Sequence, residues 1–315
     1  MNLQQRIFFE FLQFCIGSRD EIPPSIKNAN WNEQYAIAKK QTLVGVLFHG
    51  IKQLSKELAP DADLLMQWMG MAQKIRQQNI RLFMNSDKVC KNFKQEGFRC
   101  CVLKGQGNAL LYPDPYMRTP GDIDIYLGGG RKRIMQYINE ACPNQVMRYH
   151  HVDFPVMKTA IEVHFTPSYM FYPKHNHRMQ KWFEEVMDLQ CSNVVVLPDG
   201  CGEITVPTVN FNVIYILSHL YRHVFTEGIG LRQLIDYYFV LRNTDCNIAN
   251  KAILQRELKR LGLWKFAQAV MYVLHETFGL SEEKMIAPTD MYEGRFLLSE
   301  IMQGGNFGQY DTRLG

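Results

Sequence analysis

The chain has 315 residues, 46% of them apolar and 21% charged, which is typical of a folded globular protein and excludes a disordered or fibrous chain. Its 35 Lys and Arg stand against 31 Asp and Glu, and the net charge of +4 is too small to attract nucleic acid or anionic lipid over the whole surface. Any site for a polyanion must therefore be local.

The cysteines and the apolar segments bear on the compartment. The eight cysteines form no CxxC pair and no regular spacing, which predicts free thiols and a reducing, cytoplasmic setting. The apolar start of the sequence is interrupted at Glu10 and Gln13 and shows no basic region or cleavage site, so we expect no signal peptide. No stretch reaches the roughly 18 uninterrupted apolar residues of a membrane span, so we expect no membrane partner.

Residues 1–97 have the pattern of a helical region. Asp61 is a candidate N-cap for a long helix that stops at Gly97. Apolar residues recur at helical spacing within it, from Leu65 to Phe83. We interpret this apolar face as core packing.

From residue 98 the chain alternates short strands and helices. Strands are predicted at FRCCVLKG, DIDIYL, HVDFPVM and TAIEVHF, with a helical turn at GNALLY and a helix at RKRIMQYINEAC. This region, 98–207, is expected to form a small mixed sheet, and residues 208–315 are again helical. The predicted fold is therefore α+β, a small mixed β-sheet core flanked by N-terminal helices and a C-terminal helical bundle.

Two aspartates separated by one residue are the most informative feature. In a strand, Asp122 and Asp124 point to one face while Ile123 and Ile125 enter the core. Two such carboxylates, about 7 Å apart, repel each other unless a cation lies between them, and hard oxygen ligands suit Mg²⁺ or Mn²⁺. If TAIEVHF pairs beside this strand, Glu162 adds a third carboxylate and a two-metal site results. The alternative is a pair of solvated aspartates on an exposed edge strand.

A glycine-containing turn precedes the aspartates. Gly105 lies where a strand turns into a short helix, a place where backbone amides can approach an anion and a helix N-terminus favours phosphate. Lys104 and Arg118 are candidate cations for phosphate groups. The alternatives are a surface lysine and a loop arginine paired with Asp114.

In this order, these pieces resemble the signature of the polymerase-β-like nucleotidyltransferase superfamily. There, a Gly-containing strand–helix turn is followed by an Asp-hydrophobic-Asp strand and a third acidic residue on a later strand. More narrowly, residues 98–240 resemble a largely uncharacterised bacterial nucleotidyltransferase-like family. The pieces that match it are Leu103–Gly105, Tyr112–Pro115, Arg118, Gly121–Asp124, Glu162–His164 and the helix pair from His219 to Asp236.

The resemblance implies a metal-dependent nucleotidyltransferase. Such an enzyme moves a nucleoside monophosphate from an NTP to an acceptor, here an unidentified small molecule, protein or nucleic acid, and releases pyrophosphate. Asp122, Asp124 and Glu162 would bind Mg²⁺ or Mn²⁺ and catalyse the transfer, with Glu162 as the base for an acceptor hydroxyl. The residues predicted to bind nucleotide or phosphate are Lys104, Gly105, Gln106, Arg118, His219, Arg222 and His223.

One residue departs from the superfamily pattern. Gln106 follows the turn glycine where the superfamily usually has Ser or Gly, and this favours an alternative function. In that alternative, the chain is a catalytically silent nucleotide-binding or regulatory protein that retains the fold. A metal-dependent phosphohydrolase is a third hypothesis.

The remaining histidines and the tail give weaker signals. His219 and His223 share a helical face, which is compatible with a helix–helix junction, a polar wall of the cleft or a zinc site. His150 and His151 are expected at the surface or at a strand edge. The Gly-rich segment from residue 304 is expected to be a disordered tail, with a mobile lid as the alternative.

Overall fold

Four α-helices precede the first strand in the computed structural model, which describes residues 1–311 and Arg313. Asp61 caps the fourth, since its side chain accepts a hydrogen bond from the backbone N–H of Leu64, as the sequence predicts. On the buried face of that helix, the Trp68 indole donates a 2.8 Å hydrogen bond to the Val44 carbonyl and ties the helix to its neighbour. The four are α1 (Leu3–Cys15), α2 (Trp31–Lys40), α3 (Val44–Ile51) and α4 (Ala62–Gln95).

A four-stranded mixed sheet follows. Its strands are β1 (Cys100–Val102), β2 (Ile123–Leu127), β3 (His151–Asp153) and β4 (Ile161–His164), in the spatial order β1–β2–β4–β3. β2 is antiparallel to β1 and parallel to β4, and β3 is antiparallel to β4. The short helix α5 (Gln106–Ala109) follows β1, and α6 (Arg131–Ala141) follows β2. The small mixed sheet in a mainly helical chain confirms the predicted α+β class.

Three elements that were not predicted lie after the sheet. They are α7 (Pro173–Gln190) and a hairpin of β5 (Asn193–Val196) with β6 (Glu203–Val206). The hairpin contacts the turn after β1 closely. A Cβ at Gly107, in α5, would lie 2.8 Å from the Val206 side chain, so any larger residue there would force that side chain to shift.

Helices make up the rest of the chain. They are α8 (Val209–Val224), α9 (Leu231–Asn243), α10 (Ile248–Arg260), α11 (Trp264–Phe278) and α12 (Met291–Gly304), all within the region 208–315 that is predicted to be helical. One apolar core joins residues of the N-terminal helices, the sheet and these helices, so the boundaries at 97 and 207 stay predictions. In the part of the chain that the structure describes, no helix has the length and apolar character that crossing a membrane requires.

The segment after α12 packs against the protein, so the prediction of a disordered tail is wrong for residues 304–308. Asn306 is buried, and the backbone of Gly308 lies so close to the Glu227 carbonyl that a Cβ would approach it to 2.5 Å. The Phe307 ring lies 5.6 Å from that of His223, at the wall of the central cleft. The same prediction for residues 312, 314 and 315 falls outside the described residues.

Candidate active site

Three carboxylates meet on one side of the sheet because β2 and β4 run parallel and in register. Asp124 lies opposite Glu162 in this pairing, and Ile123 lies opposite Ile161. Since side chains alternate along a strand, the two carboxylates share a face while both isoleucines are buried on the other. Asp122, one residue before β2, lines the same cleft. The strand pairing that brings Glu162 to the aspartates is therefore present.

Asp124 is the buried centre of this group. Its Oδ1 atom lies 3.0 Å from Lys104 Nζ and 3.0 Å from His164 Nε2. Burial opposes its negative charge, but the charge of Lys104 and the hydrogen bond from His164 outweigh burial and lower the pKa of Asp124. Asp124 is therefore ionised and held in place by two partners.

The repulsion between the carboxylates acts mainly on the pKa of Asp122. The charge of Asp124, followed by burial, raises the pKa of Asp122 from its usual 3.8 to about 6. Burial also opposes the charge of Glu162, but the hydrogen bond from His164 outweighs it and lowers the pKa of Glu162. The repulsion is left uncompensated at Asp122, and a hard divalent cation among these carboxylate oxygens would offset it, which suits Mg²⁺ or Mn²⁺.

The raised pKa of Asp122 predicts how the stability of the metal-free protein depends on pH. The folded pKa lies above the unfolded one, so this group favours folding most at low pH, and the contribution is lost as pH rises through about 6. We expect Asp122→Asn to raise the free energy of unfolding at about pH 8 by about 1–3 kcal/mol. Urea denaturation in a chelating buffer measures this difference, which should shrink towards zero at about pH 4.

A substitution far from the site is the control for this measurement. Asp20 is exposed, so Asp20→Asn should change stability little at either pH. Equal stability of Asp122→Asn and the wild type at about pH 8 would contradict the repulsion between the carboxylates.

The turn after β1 leads into a short helix with two amide side chains, of which only Asn108 lines the cleft. Gly105 adopts φ +52° and ψ −98°, a conformation that favours glycine, and α5 begins directly after it. The buried Gln106 side chain does not line the cleft, and its Nε2 atom lies 3.5 Å from the Asp122 carbonyl oxygen. Asn108, which was not predicted, lines the cleft, and its buried Nδ2 donor lacks a partner among the described groups.

The opposite wall of the cleft comes from α8. His219 Nε2 lies 3.2 Å from Lys104 Nζ, and Arg222 Nη1 donates a 2.6 Å hydrogen bond to His150 Nε2. Burial, with the charge of Lys104, lowers the pKa of His219 and lowers that of His223 to about 3, so both rings are neutral at pH 7. The structure thus places the three α8 residues in a polar wall that faces the carboxylates.

Arg118 pairs with a distant partner. Its Nε and Nη2 atoms donate to the two carboxylate oxygens of Asp236 at 2.8 and 2.7 Å, and both residues are buried. The Tyr112 hydroxyl donates to the same carboxylate at 2.7 Å. The predicted alternative, a pair with Asp114, is wrong, because that carboxylate instead accepts from the backbone N–H of Tyr116. Arg118 therefore connects the loop before β2 to α9.

Three histidines form a buried cluster that the sequence did not reveal. His150 and His151 are buried, so the surface alternative is wrong, although His151 does lie on the edge strand β3. Together with His164 on β4, they offer ligand nitrogens that lie within 4.8 Å of one another. Alternation along β4 did place His164 beside Glu162, but the pairing of β3 with β4, which sets His151 opposite His164, had no local signal.

These groups surround a cleft of about 550 Å³. Nine of the ten residues predicted to form the site line it, and Gln106 is the exception. Their roles as metal, phosphate and catalytic residues stay predictions. Residues that line the cleft and were not predicted include Asn108, Tyr169, Arg232 and Phe307.

Comparisons with known proteins bear on the identity of this fold and site. Residues 27–279 match the model of a protein family described as uncharacterised nucleotidyltransferase. Among solved structures, the chain is similar to an antigenic nucleotidyltransferase-like protein from Paracoccidioides brasiliensis, with 10% sequence identity and a TM-score of 0.40. That similarity covers 68% of this chain and 96% of the other. No curated protein matches the chain significantly.

Proposed function

This chain belongs to the uncharacterised nucleotidyltransferase family, and on that premise we propose that it is a metal-dependent enzyme that transfers a nucleoside monophosphate from an NTP to an acceptor and releases pyrophosphate. One observation carries the proposal. Asp122, Asp124 and Glu162 converge at a cleft whose other walls supply the cations Lys104 and Arg222. Negative ligands for metal thus face positive groups for phosphate.

The carboxylates have distinct tasks in this proposal. Asp122 and Asp124 would hold Mg²⁺ or Mn²⁺ together with Glu162, and bound metal would supply charge neutralisation at the α-phosphate and at the leaving pyrophosphate. Glu162 takes the proton of the acceptor hydroxyl while the oxygen of that hydroxyl attacks the α-phosphorus. The bond from that phosphorus to the oxygen of the β-phosphate then breaks, and its electrons leave with pyrophosphate.

The cations and amides of the cleft would orient the polyphosphate. Lys104 lies 3.0 Å from Asp124, so a metal ion at that carboxylate would free the lysine ammonium for a phosphate oxygen. The backbone at Gly105 and Gln106 would contribute amide donors. The polar wall of His219, Arg222 and His223, and the Nη1 edge of Arg118, would contact phosphate or base.

A nucleotide screen tests the proposed function. Each NTP is incubated with Mg²⁺ or Mn²⁺, and pyrophosphate, orthophosphate and heat of binding are measured, with labelled acceptors identified by mass spectrometry. We expect pyrophosphate release that is lost in a chelator. Orthophosphate as the only product would instead indicate a phosphohydrolase, and the lack of any metal-dependent heat with every NTP would indicate a silent protein.

The hypothesis of a silent protein depended on Gln106. Because its side chain is buried behind the turn and lies outside the cleft, it does not fill the space beside Gly105. Gln106 therefore does not block phosphate at the turn, which weakens the argument for a silent protein and supports the catalytic proposal.

We also propose a cytoplasmic location. All eight cysteines are free thiols, and five of them are buried. Free thiols persist in a reducing compartment, where disulfides are rare.

A further inference from the structure

Three side-chain donors that line the cleft have no acceptor. They are Asn108 Nδ2 on α5 and, at the start of α9, Arg232 Nε and Gln233 Nε2, and none has a hydrogen-bond partner in the described part of the chain. The three residues are only 2%, 9% and 7% exposed, respectively. A donor that is buried without an acceptor destabilises a fold, so three of them around one cleft indicate that a ligand supplies the acceptors.

Arg232 is also a buried cation without a matching anion. None of the carboxylates in the described ranges forms a salt bridge with it, and Asp236, one turn further along α9, accepts from Arg118 with both oxygens instead. Burial, followed by the charge of Arg118, lowers the pKa of Arg232. Two buried arginines thus share one carboxylate, and the positive charge of Arg232 is left uncompensated.

The orientation of the Gln233 amide is fixed by the cap of α9. Its Oε1 atom accepts a 3.0 Å hydrogen bond from the backbone N–H of Gly230, so the Nε2 donor is the atom without a partner. The backbone N–H of Leu231 donates to Gln41 Oε1 at 2.9 Å. Both of these backbone donors are occupied, so a ligand at this end of α9 would be bound by side chains, and the helix dipole there favours an anion.

An oxyanion with several acceptor oxygens satisfies all of these groups. Guanidinium nitrogens and amide nitrogens only donate hydrogen bonds, so their ligand must accept them. A neutral acceptor would leave the charge of Arg232 without a counterion, and a buried uncompensated charge is costly. Phosphate supplies both the negative charge and the acceptors, and arginine binds it in a two-pronged geometry.

The position of Arg232 indicates which phosphate it would bind. Its Nη1 atom lies 3.4 Å from the carbonyl of Thr119, three residues before Asp122, whereas Glu162 faces the histidines of β3 and β4. In the proposed reaction Glu162 receives the acceptor, and the attacking and leaving oxygens lie roughly in line with the transferred phosphorus. The pyrophosphate would therefore leave towards Asp122 and Arg232.

We propose that Asn108, Arg232 and Gln233 form a subsite for the β- and γ-phosphates of the nucleotide and for the pyrophosphate that they become. This assignment rests on the proposed function. The subsite adds the start of α9 to the glycine turn as a second source of phosphate contacts, and it favours a nucleoside triphosphate over a monophosphate.

Binding of inorganic pyrophosphate and tripolyphosphate to the full-length protein with Mg²⁺ tests the subsite without catalysis. Arg232→Met removes the charge and keeps a long side chain, and calorimetry should show that it weakens both ligands about 10- to 100-fold, the effect of losing one or two charge-assisted hydrogen bonds. Gln233→Glu keeps the oxygen that caps α9 but replaces the donor with a charge that repels phosphate, so it should weaken both ligands about 10-fold or more. Unchanged affinities in Arg232→Met overturn the proposal.

Stability without ligand separates binding from a structural role. Because its charge is uncompensated, Arg232→Met should leave the ligand-free protein at least as stable as the wild type, and pyrophosphate should raise the melting temperature of the wild type more than that of the variant. Arg81→Met removes an exposed arginine of α4 and should leave both affinities unchanged. A less stable Arg232→Met that binds pyrophosphate normally would assign the arginine to the fold and overturn the proposal. If Arg232→Met does not fold, the affinities of Gln233→Glu decide the question.

Competition separates the phosphates of the nucleotide from a phosphate of the acceptor. Tripolyphosphate should displace the NTP that the screen identifies, and Arg232→Met should raise the KM for that NTP by about the factor by which it weakens tripolyphosphate. Tripolyphosphate that binds through Arg232 without displacing NTP would place an acceptor phosphate there and overturn the assignment.

The subsite and the proposed function fail separately. Pyrophosphate bound through Arg232 in a protein that turns over no NTP would support the subsite and refute the proposed function. NTP turnover with an unchanged KM in Arg232→Met would overturn the subsite alone.

Discussion

Asp124→Asn is expected to lower metal-dependent pyrophosphate release from NTP by about 10³-fold or more, the effect of losing a preorganised charged group at a reaction centre. Asparagine keeps the shape of the side chain but removes the charge that binds metal. The affected residue lies at the centre of the site, in contact with Lys104 and His164. Steady-state rates at saturating Mg²⁺, with the NTP identified by the nucleotide screen, measure the loss.

Stability measurements separate this loss from misfolding. Asp124→Asn leaves Lys104 and His164 without their buried anion, so it should destabilise the fold. Asp122→Asn should stabilise the metal-free fold, as argued from its raised pKa, and yet lose activity as well. Loss of activity in two variants whose stabilities change in opposite directions assigns the effect to the chemistry. Full NTP turnover by either variant would refute the catalytic assignment.

Arg118→Ala is expected to lower the free energy of unfolding by about 3–5 kcal/mol, because it leaves a buried carboxylate without its cation. The Asp236 side chain is 8% exposed and accepts hydrogen bonds from two of the three guanidinium nitrogens, Nε and Nη2. Arg118→Lys should restore only part of the stability, since one ammonium cannot make the two-pronged contact. Urea denaturation of the three proteins in the same buffer gives the comparison.

A double variant and a surface pair provide the controls. Arg118→Ala combined with Asp236→Ala should cost less than the sum of the single changes, because the two residues act as one unit. Lys181→Ala breaks an exposed ion pair with Glu185 and should cost about 0.5 kcal/mol or less. If Arg118→Ala costs no more than Lys181→Ala, the buried pair does not connect the loop to α9.

The sequence predicted the parts of the site that follow from local alternation. The strand β2, which begins directly after Asp122 and contains Asp124, and the shared face of Glu162 and His164 could be deduced because side chains alternate along a strand. The long helix α4 could be deduced from its cap and its apolar period. Each of these signals spans only a few neighbouring residues.

Contacts between distant segments could not be deduced in this way. The sequence offered the nearby Asp114 as an ion-pair partner for Arg118, but the actual partner is Asp236, 118 residues away. The burial of His150 and His151 depends on the pairing of β3 with β4 and on Arg222 from α8. No local residue pattern at these positions predicts which distant segments they contact.

Helix α7 could have been found from local signals. It begins at Pro173, a favoured first helical residue. Its buried residues Met179, Trp182, Phe183 and Met187 recur at helical spacing.

The parallel pairing of β2 with β4 also determines which changes of length the site can tolerate. The strands pair from Ile123 and Ile161, and the chain between them includes α6 and surface turns. Loop closure becomes only about 0.6 kcal/mol less favourable for each doubling of length, so insertions in those turns would leave the carboxylates in place. One residue inserted between Ile161 and Glu162 would turn Glu162 to the opposite face. The segment between β2 and β4 can therefore vary in length, whereas the alternation of side chains along β4 that places Glu162 on the cleft face must be kept.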